Sequence, residues 1–306
     1  MMFSYAKEQM TYDLEGIKVG GQPGEYPTLM IGTLFYEDQF HEPESSLEKA
    51  KALIEDQNRI SRRTSVPSMV DILIYEEEEV EWKLDFALDN IEGFFSVDVP
   101  EAEVRMKVLD YLDQQDSLHR AIYNSLNLGM DEEEFELLKE KTPAGAILLG
   151  YNPHDNSAHG RKEMIKDGGP ILDKGLLTMS QEAGIGYVFL DTAATPFGEK
   201  ACETVRAVPV FKSEFGLPVG CALHNTIESW RWLNDYEERE NIFDKLDSSI
   251  DTIPLTLGAD FIYYGPIENA FDSILNAAMV DKMVAEGAQD YFGVEISKEH
   301  PYHTLR

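Results

Sequence analysis

Eight short apolar runs recur along the chain: Thr28–Tyr36, Ser68–Tyr75, Phe94–Asp98, Ala121–Asn124, Ala144–Tyr151, Tyr187–Asp191, Val219–Leu223 and Asp260–Tyr264. Between them, apolar residues return every three or four positions, as at Val80, Leu84, Ala87 and Ile91, or at Val104, Val108, Tyr111 and Leu112. That spacing lines one face of a helix, whereas a short unbroken apolar run fits a strand covered on both sides. Strands alternating with helices eight times predict an α/β fold, a single (β/α)8 TIM barrel spanning 1–306 as one domain. A short N-terminal β-ribbon is expected in Met10–Val19, followed by an irregular loop, Gly20–Pro27, rich in glycine and proline.

Finer boundaries follow from capping and breaker residues. Ser45 and Glu48 have capping-box spacing and should open the first helix, and Pro100 is tolerated in the first turn of a later one. Helices are also expected over Asp131–Lys141, Leu172–Ala183, Ala201–Phe215 with a kink at Pro209, after strand seven through Ile227, Trp230 and Leu233, and from Asn269 to about Gln289. Asn152–Gly169 has the composition and length of a functional loop. The aromatics Trp230, Trp232 and Tyr236 are expected to pack a helix.

Composition narrows the classes. The chain is 43% hydrophobic, enough for a sizeable core, and has no apolar stretch able to span a bilayer and no signal-peptide pattern at its start, so a cytoplasmic protein is expected. A formal charge of −31 argues against binding nucleic acid or an anionic membrane surface. The runs Glu76–Glu79 and Asp131–Glu134 fall where helices should begin, where the helix dipole favours anions, and read as solvated surface. Cys202 and Cys221 lack metal-ligand spacing and read as buried free thiols.

Chemistry concentrates at the strand ends. Strands three, four, six and seven close on Asp98, Asn124, Asp191 and the pair His224-Asn225. Each could be a local cap or turn residue; Asp98 with Glu101 even has capping-box spacing. Their convergence on the C-terminal face of one barrel favours a ligand site. Two carboxylates and two amides suit a flat heterocycle rich in N–H donors. No histidine pair has ligand spacing, so no bound metal is expected, and no nucleophile elbow is present. Gly265-Pro266 reads as a structural turn rather than a phosphate site.

Several segments together resemble one family. Gly20-Gly-Gln-Pro-Gly-Glu-Tyr-Pro27, Ile122-Tyr-Asn-Ser125, Leu217-Pro-Val-Gly220 with His224-Asn225, Tyr264-Gly-Pro-Ile-Glu-Asn269 and Glu299-His-Pro301 are similar to the H subunit of tetrahydromethanopterin S-methyltransferase. The likeness extends to relatives that methylate tetrahydrofolate and covers essentially the whole chain. It implies a barrel, as a homodimer, that binds a reduced pterin at its C-terminal mouth. The methyl group would pass between pterin N5 of a methyl-tetrahydropterin and the cobalt of a corrinoid (cobalamin) supplied by a corrinoid-binding partner protein, which could belong to a membrane-bound complex. By position, Asp98, Asn124 and Asp191 match pterin-ring ligands and Asn225 the amide near N5. Glu25, on the distinctive loop, is a candidate supporting or proton-relay group, with His224 beside Asn225. Val99 and a short acidic segment after Tyr36 depart from the family pattern. The alternatives are a non-catalytic assembly subunit and a dihydropteroate-synthase-like enzyme, which would need a basic residue in a diphosphate pocket.

Overall fold

A computed structural model of the chain describes residues 3–36 and 43–305. Strands β1 (Thr11–Leu14) and β2 (Ile17–Gly20) form an antiparallel ribbon. Eight further strands close a parallel barrel: β3 (Leu29–Leu34), β4 (Ser68–Leu73), β5 (Phe95–Asp98), β6 (Ala121–Leu126), β7 (Gly145–Leu149), β8 (Tyr187–Asp191), β9 (Val219–Cys221) and β10 (Phe261–Pro266). Each pairs with its sequence neighbour, and β10 pairs with β3 to close the ring. All six residues of β3 are buried, which is why this strand reads as a continuous apolar run and not as an alternating one.

The helices depart from expectation in places that matter. The first described helix begins at Pro43, so Ser45 lies inside it, and the acidic segment after Tyr36 lies mostly outside the described residues. Asn152–Gly169 is no plain loop: it holds the helix Ala158–Lys166, whose N-cap Ser157 accepts from Gly160 N at 3.2 Å. The next helix starts only at Leu176. Ala201–Phe215, by contrast, is a helix with the expected bounds and with Pro209 inside it. After β9 the chain breaks into short helices at His224–Glu228 and Arg231–Asn234 before the longer Arg239–Ile250. Trp230, Trp232 and Tyr236 therefore do not line a helix face. They stack successively, with ring centroids 4.9 and 5.1 Å apart, and Trp232 is largely exposed. Both cysteines are free, but only Cys221 is buried.

At the N-terminal end of the barrel the ribbon packs Leu14 and Val19 against the strand residues Ile122, Phe189 and Phe261, and the Gly20–Pro27 loop follows beside it. Gly24 takes φ +81° and lies so near the helix Ala270–Phe292 that a Cβ would meet the Ala285 backbone at 2.7 Å. Beneath the barrel Lys212 Nζ holds both oxygens of Asp260 at 2.7 and 2.8 Å and donates to Gly21 O at 2.9 Å. Asp260 Oδ2 also accepts from Val219 N, and Asp281 takes both donors of Thr28. Every polar group named at this end has partners, as burial requires.

Candidate functional site at the C-terminal mouth

Parallel register carries the end of each strand to the same rim. Asp98 is aligned with Leu73 on β4 and Asn124 on β6, and Asp191 with Leu149 on β7. A third carboxylate joins them: Asp71, in the body of β4, is fully buried. It escaped the sequence reading because it precedes the strand's end and sits between apolar residues, with no turn or cap signal beside it.

These three acids act on one another. Burial first, and then the nearby Asp71 and Asp191 charges, push Asp98 well above the usual carboxylate range. Burial also raises Asp71 to about 6, offset in part by Ser96, Thr33 and Asn124. Asp191 is raised to about 6 by burial, although Ala193 N donates to its Oδ1 at 2.6 Å and Arg161 lies near. Loss of hydration disfavours each charge, and like charges in one pocket disfavour them further.

Two buried arginines hold the loops that follow these acids. Arg105 donates to Val99 O and Pro100 O, at 3.1 and 2.6 Å, just beyond Asp98. Its other nitrogens clamp Glu134, with Nη2 to Oε2 at 2.9 Å, and Tyr123 also donates to Glu134. Glu134 thus leaves the surface acidic run in which the sequence placed it and becomes a fully buried partner. Arg161 donates to Thr192 O and Ala193 O, at 2.7 and 2.6 Å, just beyond Asp191, and to Thr204 Oγ1 at 2.9 Å. Neither guanidinium pairs with a site carboxylate; each fixes the backbone that aims one.

Around this cluster, buried polar atoms lack partners. Asp71 Oδ1, Thr192 Oγ1 and His224 Nδ1 are all enclosed without a hydrogen bond. Protein interiors rarely tolerate this, and the usual reason is a ligand or water that completes the set. Among the described residues no group of His, Cys, Asp or Glu is arranged to hold a metal ion.

The remaining candidates divide. His224 is buried at the mouth and Asn225, the next residue, is exposed there. Glu25 is elsewhere: its Oε2 accepts from Gln22 N at 2.9 Å, and its charge bears on Asp260 at the N-terminal end of the barrel. The structure thus does not bring Glu25 together with Asp98, Asn124 and Asp191. Asp98 caps nothing: the N-cap of the helix Ala102–Gln114 is Glu101. Gly265 takes φ +84° and a Cβ there would strike His224 Nδ1 at 2.7 Å, so this turn makes room for the histidine.

A closed parallel barrel with ionisable groups gathered at its C-terminal mouth is the architecture of TIM-barrel enzymes. Solved structures of the same shape include dihydropteroate synthase from Xanthomonas albilineans, with a TM-score of 0.61, 14% identity and coverage of 90% of this chain and 98% of that one. The Vibrio fischeri enzyme is similar at a TM-score of 0.59, with 14% identity and coverage of 90% and 98%. The model of the tetrahydromethanopterin S-methyltransferase MtrH subunit matches residues 7–297, and the chain belongs to that family. It is 38% identical to the H subunit of tetrahydromethanopterin S-methyltransferase from Methanothermobacter thermautotrophicus, over 99% of this chain and all of that one. It is 36% identical, over 99% of this chain and all of the relative, to the H subunit of the putative methyltransferase mtx from Methanosarcina acetivorans.

Proposed function

We propose that the chain is a methyltransferase that binds a methylated reduced pterin at the C-terminal mouth and passes its N5 methyl group to or from the cobalt of a corrinoid on a partner protein. The observation that carries this is the set of buried, unpartnered acceptors around Asp98 and Asp191. The edge of a pterin presents N–H donors that Asp98, Asp191 and Asp71 can accept, while Asn124 both gives and accepts. The names of the relatives support tetrahydromethanopterin as the pterin, with tetrahydrofolate the other candidate.

Methyl departure leaves the bond's electron pair on N5, a poor leaving group unless it gains a hydrogen bond or a proton. Asn225, exposed just after β9, would donate that bond as charge develops. The loops at this end are the face on which the corrinoid carrier would dock, since the acceptor must reach N5. A dihydropteroate-synthase-like reaction is less favoured: both buried arginines near the site acids are engaged by the backbone, and Lys212 lies at the other end.

The test is Asn225→Ala. Transfer between methyl-tetrahydropterin and free cob(I)alamin should slow by about 10²-fold or more at saturating pterin, the scale for losing one preorganised donor. Affinity should change less, because ring contacts from the aspartates and Asn124 remain. A variant that loses affinity but keeps its saturated rate would make Asn225 a binding residue. A wild-type chain inactive with free cobalamin, yet able to bind the carrier protein, would favour the assembly-subunit alternative.

The same reading includes a homodimer. Phe271, Leu275, Met279 and Met283 are exposed at every fourth position of the helix Ala270–Phe292, an apolar stripe on an otherwise acidic protein. Low charge is what two highly anionic copies would need at their contact. Met279→Lys with Met283→Lys should shift the mass measured by light scattering from dimer to monomer.

A further inference from the structure

The acidic run Asp131–Glu134 divides in the fold. Glu132 and Glu133 are exposed, whereas Glu134 is wholly buried. Its own helix does not require this: Asp131 Oδ1 caps that helix by accepting from Glu134 N at 2.8 Å, a backbone contact that any residue at 134 would make. Burying a carboxylate is costly unless it is paired, so the reason lies in the tertiary structure.

Both oxygens of Glu134 are spent on groups that shape the mouth. Arg105 Nε and Nη2, from the helix Ala102–Gln114, take one each, and Tyr123 on β6 donates to Oε1 as well. Nη1 of the same guanidinium donates to the carbonyls of Val99 and Pro100, at 3.1 and 2.6 Å, the two residues after Asp98. Tyr123 stands immediately before Asn124, and successive residues of a strand face opposite sides. With Tyr123 drawn outward to the helix layer, Asn124 turns inward to the mouth. A backbone bond ties the two strand ends directly, from Val99 N to Asn124 O at 3.2 Å. Every step from Glu134 to Asp98 and to Asn124 is thus a hydrogen bond or an adjoining residue of the chain.

We propose that Glu134 is a positioning residue of the pterin site, which fixes Asp98 and Asn124 relative to each other through Arg105 and Tyr123. The inference rests on the pterin-binding reading and adds to it the residue that sets the spacing of two ring contacts. Without the carboxylate, Arg105 keeps only its two carbonyls, and the planar fork of the guanidinium is no longer held at one angle. The loop after Asp98 then gains freedom that a bound ring must remove again, which weakens binding. Asn225 follows β9, on the opposite side of the ring of strands from β5 and β6, so the transfer step should suffer less than affinity.

The experiment measures affinity for methyl-tetrahydromethanopterin by calorimetry, and single-turnover transfer to free cob(I)alamin, in wild type, E134Q, Y123F, D98N and the double variant D98N/E134Q. D281N, which disturbs a buried carboxylate at the N-terminal end, is the control. E134Q should bind about tenfold more weakly and keep its saturated rate within about threefold. In the D98N background the same change should cost less than about threefold, because residues that act through one another do not add. D281N, however far it lowers the melting temperature, should leave affinity within about twofold, as a distant site does. Should E134Q not fold, Y123F carries the test, since it takes one bond from Glu134 and leaves the arginine clamped. Its affinity should fall about threefold at the wild-type melting temperature, and an unchanged affinity overturns the proposal. A folded E134Q with wild-type affinity overturns it too. So does a tenfold loss repeated in full on top of D98N, the mark of a general loosening of the fold. All these outcomes leave a wild type that binds pterin; a wild type that neither binds it nor transfers methyl overturns the pterin reading itself, and the positioning role with it.

Discussion

The two ends of this barrel carry similar residues put to opposite uses. At the N-terminal end, Asp260 and Asp281 are buried and fully engaged, the first by Lys212 and Val219 N, the second by Thr28. At the C-terminal end, Asp71 is as deeply buried, yet Oδ1 goes unpartnered, and Asp98 and Asp191 crowd against it. Burial alone thus fails to separate a structural carboxylate from a functional one. What differs between Asp260 and Asp71 is whether the hydrogen bonds are complete within the protein, and an incomplete set costs stability that a ligand could return.

The contrast is broken most violently at the satisfied end. Lys212→Ala strands a buried Asp260 and should cost about 3–5 kcal/mol in denaturant unfolding, the usual penalty for removing one partner of a buried pair. If the chain remains folded, pterin binding at the far mouth should be untouched. At the unsatisfied end, Asp191→Asn should weaken pterin binding by about 1–3 kcal/mol, since a donor now faces ring N–H groups. Its fold should be as stable as wild type or more so at neutral pH, a combination that calorimetry and unfolding would register together.

The same residue gives a pH dependence of definite sign. Folding raises Asp191 from the usual value near 4 to about 6, so the folded chain holds this proton more tightly than the unfolded one. Its contribution to stability is present below about pH 4 and is lost as pH rises through about 6, a change of about 3 kcal/mol. Asp191→Asn should remove that share: its stability advantage over wild type should grow between those limits. Pterin binding should run the other way, weakening as pH falls below about 6, because ring donors need the ionised acid. A pH-independent difference between the two proteins would mean that Asp191 is already ionised throughout. The smallest effect is expected from Glu25→Gln at the satisfied end. Methyl transfer should stay within about twofold of wild type, and stability should fall by about 1 kcal/mol or less, the worth of one part-buried loop hydrogen bond.

The barrel was legible because buried parallel strands leave a local signature. Tyr187–Asp191 was bounded as the structure has it, and the other strands within a few residues. Helix starts were less legible where two signals competed: Ser157 caps the helix Ala158–Lys166 inside what composition marked as loop, and glycine and histidine in its first turn hid the pattern.

What the sequence by itself determined is the alternation of elements, the closed parallel sheet it implies, and the rim on which Asp98, Asn124, Asp191 and His224-Asn225 stand, since strand direction and period are local properties of the chain. What only the tertiary structure decided is which polar groups lack partners. Glu134 left its acidic run for Arg105, Glu25 went to the N-terminal end with its family-like loop, and Asp71 entered the site from the middle of a strand. Hydrogen-bond satisfaction depends on atoms distant in sequence and brought close by packing, so no window along the chain contains it.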